Sequence, residues 1–111
     1  MSDAVAEMSY QVDVLPVAMD DMVQAVRYVA VNLHSRKAAE SLMRRLGDAA
    51  QALSSFPYSH PSYRPVRPLL HDYRRVMVGN YAMFYWVDDD KHTVTVARVI
   101  YARRDISRIL G

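Results

Sequence analysis

The chain has 111 residues, 51% of them hydrophobic and 23% charged, with a formal net charge of +2. That length holds one core and no second domain, and the composition is that of a packed globule, not a disordered chain. The absence of cysteine excludes disulfides, thiolate metal sites and a cysteine nucleophile, and fits a reducing cytoplasm.

Residues 1–9 read as a lead-in, and a single domain is expected over 10–111. Met1 to Met8 holds two acids and no basic stretch, so it does not read as a signal peptide. No apolar run nears the ~20 residues of a membrane helix, so no membrane partner is expected. Tyr10-Gln11-Val12-Asp13-Val14-Leu15 alternates apolar and polar residues and predicts a strand that Pro16 stops. Met19, Met22, Val23, Val26, Val29, Ala30 and Leu33 recur at helical spacing and predict a helix with Asp20 and Asp21 in its first turn. Ser35 is a good N-cap for a second helix, whose stripe is Ala39, Leu42, Leu46, Ala49, Ala50 and Leu53. Gly47 costs that helix up to ~1 kcal/mol and is expected to mark close helix packing. A link this short makes the two helices an antiparallel hairpin.

Four prolines between Phe56 and Leu70 predict an extended loop, which also carries His60, Arg64 and Arg67. A meander follows. Tyr73–Val78 and Tyr81–Val87 are strands joined at Gly79-Asn80, a pair with the type II′ signature. After the polar turn Asp88–His92, Thr93–Tyr101 is the last strand, and 105–110 adds a short helical turn. The fold class is therefore α+β: strand, two helices, three strands, with a largely antiparallel sheet on a helical hairpin.

The two-residue turn sets Val78 opposite Tyr81, Val76 opposite Met83 and Arg74 opposite Tyr85. The hairpin is assigned to the Val76, Val78, Met83 face. The other face carries Arg75, Phe84 and Trp86. It is either a partner surface rimmed by arginine or is covered by the loop and the termini; the sequence leaves both open.

Charge is unevenly placed. Residues 1–60 hold five Lys/Arg against seven Asp/Glu, and residues 61–111 hold nine against five. Twelve of the fourteen basic residues are arginine, which pairs with anions in a fork. Arg74-Arg75 opens one strand, Arg98 lies within another, and Arg103-Arg104 follows the last. If neighbouring strands bring these together at one sheet end, the cluster could steady a charged transition state or grip an acidic peptide. The competing reading is ordinary ion pairing with Asp72, Asp105 and Glu40, the better one for Arg98. His34 and His92 are expected in solvent at element ends, and His60 and His71 are weak acid–base candidates. Asp88-Asp89-Asp90 reads as a solvated turn sooner than a cation site. No phosphate-loop, zinc or dinucleotide motif is present, so neither a metal nor a cofactor is expected.

Tyr73-Arg74-Arg75-Val76-Met77-Val78-Gly79-Asn80-Tyr81, Phe84-Tyr85-Trp86-Val87-Asp88 and Arg98-Val99-Ile100-Tyr101-Ala102-Arg103-Arg104-Asp105 resemble the RelE/ParE toxins of type II toxin–antitoxin modules. The element order matches that family from Tyr10 to Leu110. The resemblance implies a growth-inhibiting toxin, held inactive by a cognate antitoxin laid across the sheet or the helix hairpin. The RelE-like branch is a ribosome-dependent endoribonuclease acting on mRNA, and the ParE-like branch inhibits DNA gyrase without a nuclease centre. Motif matching implies a catalytic role for Arg74 or Arg75 and for Arg104, with Tyr101 or His71 as the substitute proton-transfer group. RNA or partner binding is expected of Arg64, Arg67, Phe84, Trp86, Arg98 and Arg103. The chain departs from the nuclease pattern at Ala82, where many members place arginine, and has no tyrosine after Arg104. The nuclease is the first expectation; gyrase inhibition and a decayed, non-toxic binding module are the alternatives.

Overall fold

A computed structural model describes residues 9–63, 71–104 and 106–110, the side chains of Ser107 and Arg108 excepted. The elements are β1 (Gln11–Val14), α1 (Pro16–Val31), α2 (Arg36–Ala52), β2 (Arg74–Val78), β3 (Tyr81–Asp88), β4 (Thr93–Tyr101) and α3 (Ile106–Leu110). They form one four-stranded sheet in the order β1-β4-β3-β2. β1 runs parallel to β4, with Val12 beside Val94 and Val14 beside Val96. The other two pairings are antiparallel. The α+β architecture is the one expected.

Pro16 ends β1 and also opens α1, where its fixed φ and missing N–H suit the first helical turn. Because α1 starts there, Asp20 and Asp21 fall beyond the first turn, not in it as expected. The buried side of α1 is also rotated from the predicted stripe. Ala18, Met22, Ala25 and Val29 face the sheet, while Met19, Val23 and Leu33 are exposed. Two alanines bring the α1 backbone close to β4, and the larger side chains are left on the outer flank.

α2 follows its stripe. Ser35 Oγ accepts from the Ala38 N–H at 3.1 Å, and Ala39, Leu42, Leu46 and Ala50 are buried. Gly47 does not mark close packing: a Cβ there would meet nothing within 4 Å. At the β2–β3 turn Gly79 has φ 58, as the first position of a type II′ turn requires. The predicted register holds from Arg74↔Tyr85 to Val78↔Tyr81.

A β-bulge sits between β3 and β4. Phe84 pairs with Arg98 and Tyr85 with Val96, which leaves Ala97 unpaired. The extra residue reverses the alternation along β4. Val94, Val96 and Val99 face the helices, whereas Ala97 and Ile100 face away.

The sheet therefore has two cores. Under the helix hairpin, Val76, Val78, Met83 and Tyr85 meet Leu42, Leu46, Ala50 and Leu53. On the opposite face Ala82, Phe84, Ala97 and Ile100 are covered by Tyr73 and by Ile106 and Leu110 of α3. Of the two possibilities for that face, covering is the one found. Phe84 has 0% exposure, so its assignment as a partner contact is corrected. Burying such a ring stabilises the fold by about 1.5–3 kcal/mol.

Candidate functional site

The arginines do not converge. Arg74 and Arg75 are neighbours on one strand, so their side chains leave opposite faces. Arg74 pairs with Tyr85 at one end of the β2–β3 ladder, whereas Val78 and Tyr81 mark the other end, beside Tyr101. Arg103 and Arg104 follow Tyr101 and so lie at that second end. The five residues of β2 separate the two arginine pairs by about 13 Å of strand.

At the first end the arginines are engaged within the fold. Arg74 Nη1 donates to the His60 carbonyl at 2.7 Å, and its guanidinium lies 4.8 Å from the centre of the Tyr58 ring. Tyr58 Oη donates to Asp89 at 2.6 Å and Tyr10 Oη donates to the same carboxylate at 2.7 Å. These bonds hold Asp89 below the usual carboxylate range. They push Tyr58 up to about 12 and raise Tyr10. Tyr10 also stacks on His92 at 3.9 Å. His92 is thus not in solvent as expected, and its Nε2 is buried without a hydrogen-bond partner among the described residues. Tyr85 Oη donates to the Pro57 carbonyl at 2.7 Å, and burial pushes its pKa up to about 12. The whole arrangement latches the 54–60 loop and β1 onto the β3–β4 turn.

On the opposite face Arg75 lies 5.7 Å from the centre of the Tyr63 ring. Trp86 is half-buried, with His71 stacked on it at 3.7 Å and Tyr73 edge-on at 5.9 Å. Arg64 and Arg67 lie outside the described residues.

Arg98 serves a structural pair. Its Nε and Nη2 donate to the two oxygens of Asp21 at 2.7 and 2.9 Å. The pair replaces the expected partners: Glu40 instead contacts Arg36 at 3.4 Å. Asp21 also accepts from the Val99 N–H at 3.0 Å, and so continues the hydrogen bonding of β4 where β1 has ended. The side chains are only 27% and 13% exposed. Hydrogen bonding to Asp21 raises the Arg98 pKa, and the guanidinium is not offered to a phosphate.

The second end of the sheet is different. A pocket of about 630 Å³ opens there, lined by Tyr28, Leu33, Asn80, Tyr81, Tyr101 and Arg104 among others. Tyr81 and Tyr101 meet edge-on at 5.6 Å. Burial, then the nearby Tyr101 and Tyr28, raise the Tyr81 pKa, so its phenol is neutral at neutral pH. Among the described residues that line it there is no carboxylate or imidazole. Tyr101 and Arg104 are thus brought together, while Arg74 and Arg75 are elsewhere. Sequence reading missed Tyr28, Leu33, Asn80 and Tyr81. Leu33 falls in the stripe predicted as core, and Asn80 and Tyr81 in the turn and the family-like motif.

A second concavity of about 630 Å³ lies between α1 and α2. Met19, Val23, Met43 and Leu46 line it, with Arg27 as its charged residue. Among the described residues no cluster of three or more metal-binding side chains exists, and no helix is long and apolar enough to cross a membrane.

Against this geometry, the family model for the ParE toxin of type II toxin–antitoxin systems, parDE, matches residues 12–106. The chain belongs to this toxin family. The fold agrees. The chromosomal ParDE system of P. aeruginosa aligns with a TM-score of 0.69 at 10% identity, covering 86% of this chain and 99% of that one. The RelBE2 toxin–antitoxin complex of Mycobacterium tuberculosis aligns at 0.58 and 21% identity, covering 84% and 98%. The archaeal RelE–RelB complex of Pyrococcus horikoshii OT3 aligns at 0.58 and 19% identity, covering 87% and 99%. No curated protein matches the sequence. A toxin of the ParE/RelE superfamily is what the resemblance implied and what the family match bears out.

Proposed function

We propose that this toxin works in the cytoplasm by gripping a protein target, in the ParE-like mode with DNA gyrase as the target, and not by cutting mRNA on the ribosome. The observation that carries this reading is the separation of Arg74, Arg75 and Arg104, the arginines expected to act on one phosphate. Metal-independent RNA cleavage needs a proton acceptor at the 2′-hydroxyl and cations at the adjacent phosphate, all within hydrogen-bond reach of one point. Arg74 is held at Tyr58, Arg75 lies over Tyr63, and Arg98 is paired with Asp21. Among the described residues that line the pocket of Arg104 and Tyr101, none is a carboxylate or imidazole to accept the proton.

The cognate antitoxin fits the α1–α2 groove. An apolar channel lined by methionine, valine and leucine takes the apolar stripe of an amphipathic helix, and exposed methionines adapt to such a partner.

Pulsed expression of the toxin alone tests the mode of action. Expected are growth arrest, gyrase-dependent DNA breaks and an unchanged pattern of mRNA 5′ ends. Codon-spaced cuts in translated mRNA without DNA breaks would restore the nuclease reading. Normal growth at verified expression would mark a decayed, non-toxic module.

A further inference from the structure

We propose that the tyrosine pocket at the Arg104 end of the sheet is the target-facing site. It takes one bulky apolar or aromatic side chain flanked by carboxylates, presented by an acidic protein surface. The proposal rests on the reading above that this toxin acts by gripping a protein.

The interior of the pocket suits an anchor residue. Tyr28 is 51% exposed, Leu33 57% and Tyr101 37%, all larger apolar surfaces than a stable fold needs to leave in water. No hydroxyl of Tyr28, Tyr81 or Tyr101 has a hydrogen-bond partner among the described residues. Tyrosine and arginine around a concave apolar floor are the groups that dominate protein interfaces.

The rim is positive. Arg103 and Arg104 are exposed, and neither makes an ion pair among the described residues. A third arginine arrives from α2. Arg45 Nη1 lies 3.4 Å from the point where a Cβ on Gly79 would stand, so it rests over the β2–β3 turn beside Asn80. Arg104 lines the apolar pocket, with Arg103 next to it in the chain and Arg45 of α2 over the adjoining turn. Carboxylates flanking the anchor would meet them, which steers encounter and sets orientation.

Nucleic acid fits less well. A strand is held by cations repeated along a track. Among the described residues Arg45, Arg103 and Arg104 lie at one end of the sheet, and Arg74 and Arg98 are engaged in the fold. The α1–α2 groove is a separate surface, so target and antitoxin would use different sites.

The test compares two sets of variants of the full chain in gyrase supercoiling assays, each checked for an unchanged melting curve. The pocket set is Arg104→Glu with Arg103→Glu, and Leu33→Asp. The control set is Lys37→Glu and Lys91→Glu, both exposed and outside both concavities. Expected is a tenfold or greater rise in the half-inhibitory concentration for the pocket set and less than a twofold change for the control set. Equal inhibition by wild-type and pocket variants would overturn the proposal.

A second arm does not need gyrase. A synthetic pentapeptide with tryptophan between aspartates and glutamates is titrated into the labelled chain. Saturable NMR shifts at Tyr28, Tyr81 and Tyr101, lost in the pocket variants, support the site. Absence of those shifts overturns it, as does tighter binding there of a short RNA with a steep salt dependence. If wild-type toxin leaves gyrase active, the mode of action fails, and the peptide arm still decides the pocket.

Discussion

The two ends of the sheet hold similar residues and use them differently. At the Arg74 end, Tyr10, Tyr58, Asp89 and Arg74 satisfy one another and the His60 carbonyl. At the Arg104 end, Tyr28, Tyr101 and Arg104 line an open pocket. Aromatic rings beside arginine are therefore not enough to mark a site. A side chain spent on a buried or latched contact has lost its capacity for a ligand, because breaking that contact would charge the ligand the full cost of the unpaired group. The helix flank repeats the contrast. Ala18 and Ala25 are spent on packing, while Met19 and Val23, one turn-face away, remain on offer in the groove.

This contrast can be broken by substitution. The largest effect is expected from Phe84→Ala, which empties the core beneath α3. It should cost about 3–5 kcal/mol in chemical denaturation, and a surface-like cost below 1 kcal/mol would mean that α3 does not cover that face. Arg98→Ala should cost about 3 kcal/mol, because it strands the mostly buried Asp21 carboxylate. The double variant with Asp21→Asn should recover part of that loss, and additivity of the two changes would refute the pair. Gly79→Ala should cost about 1–2 kcal/mol, since φ 58 is strained for a residue with a Cβ.

The Tyr58–Asp89 bond should be visible in titration. Tyr58 ionises near 12 in the fold and near the ordinary phenol value of about 10 when unfolded. Its contribution is complete below pH 10 and is lost as pH rises towards 12. Asp89 runs the other way. Its depressed pKa contributes above the unfolded carboxylate value and is lost as pH falls through the folded one. Tyr58→Phe should move the Asp89 carboxyl resonance midpoint upward, and an unmoved midpoint would remove the latch. The smallest stability effect belongs to Arg104→Ala, within about 0.5 kcal/mol as for an exposed side chain with no ion pair among the described residues. The same change should relieve toxicity in a growth assay. A variant that unfolds, or one that folds and kills as before, would each dissolve the distinction between the two ends.

Much of the fold was legible in the chain because it is written in local rules. Ser35 capped the helix it was expected to cap, and Gly79-Asn80 aligned β2 and β3 in the register its turn type demands. The phase of α1 was not legible. Seven apolar residues wrap more than one face, and only contact with β4 selects the alanine side for burial. The Asp21–Arg98 pair joins residues 77 apart. Its cue would have been a charge inside a predicted strand facing an acid on a predicted helix, but the β-bulge that turns Arg98 to the edge lies in the pairing of two strands and leaves no mark in either alone.

Sequence alone determined the class of fold, the hairpin register, the absence of thiol chemistry and the family, through the aromatic strand and the arginine-arginine-aspartate run that follows β4. Tertiary structure decided which of the described arginines are engaged within the fold. Pairing register carries Arg74 and Arg104 to opposite ends of the sheet, α3 takes Phe84 out of reach, and Asp21 claims Arg98. The physical reason is that a residue's chemistry is local while its availability is not: it depends on which distant groups compete for the same donor or the same apolar surface, and that competition is settled only when the strands are side by side.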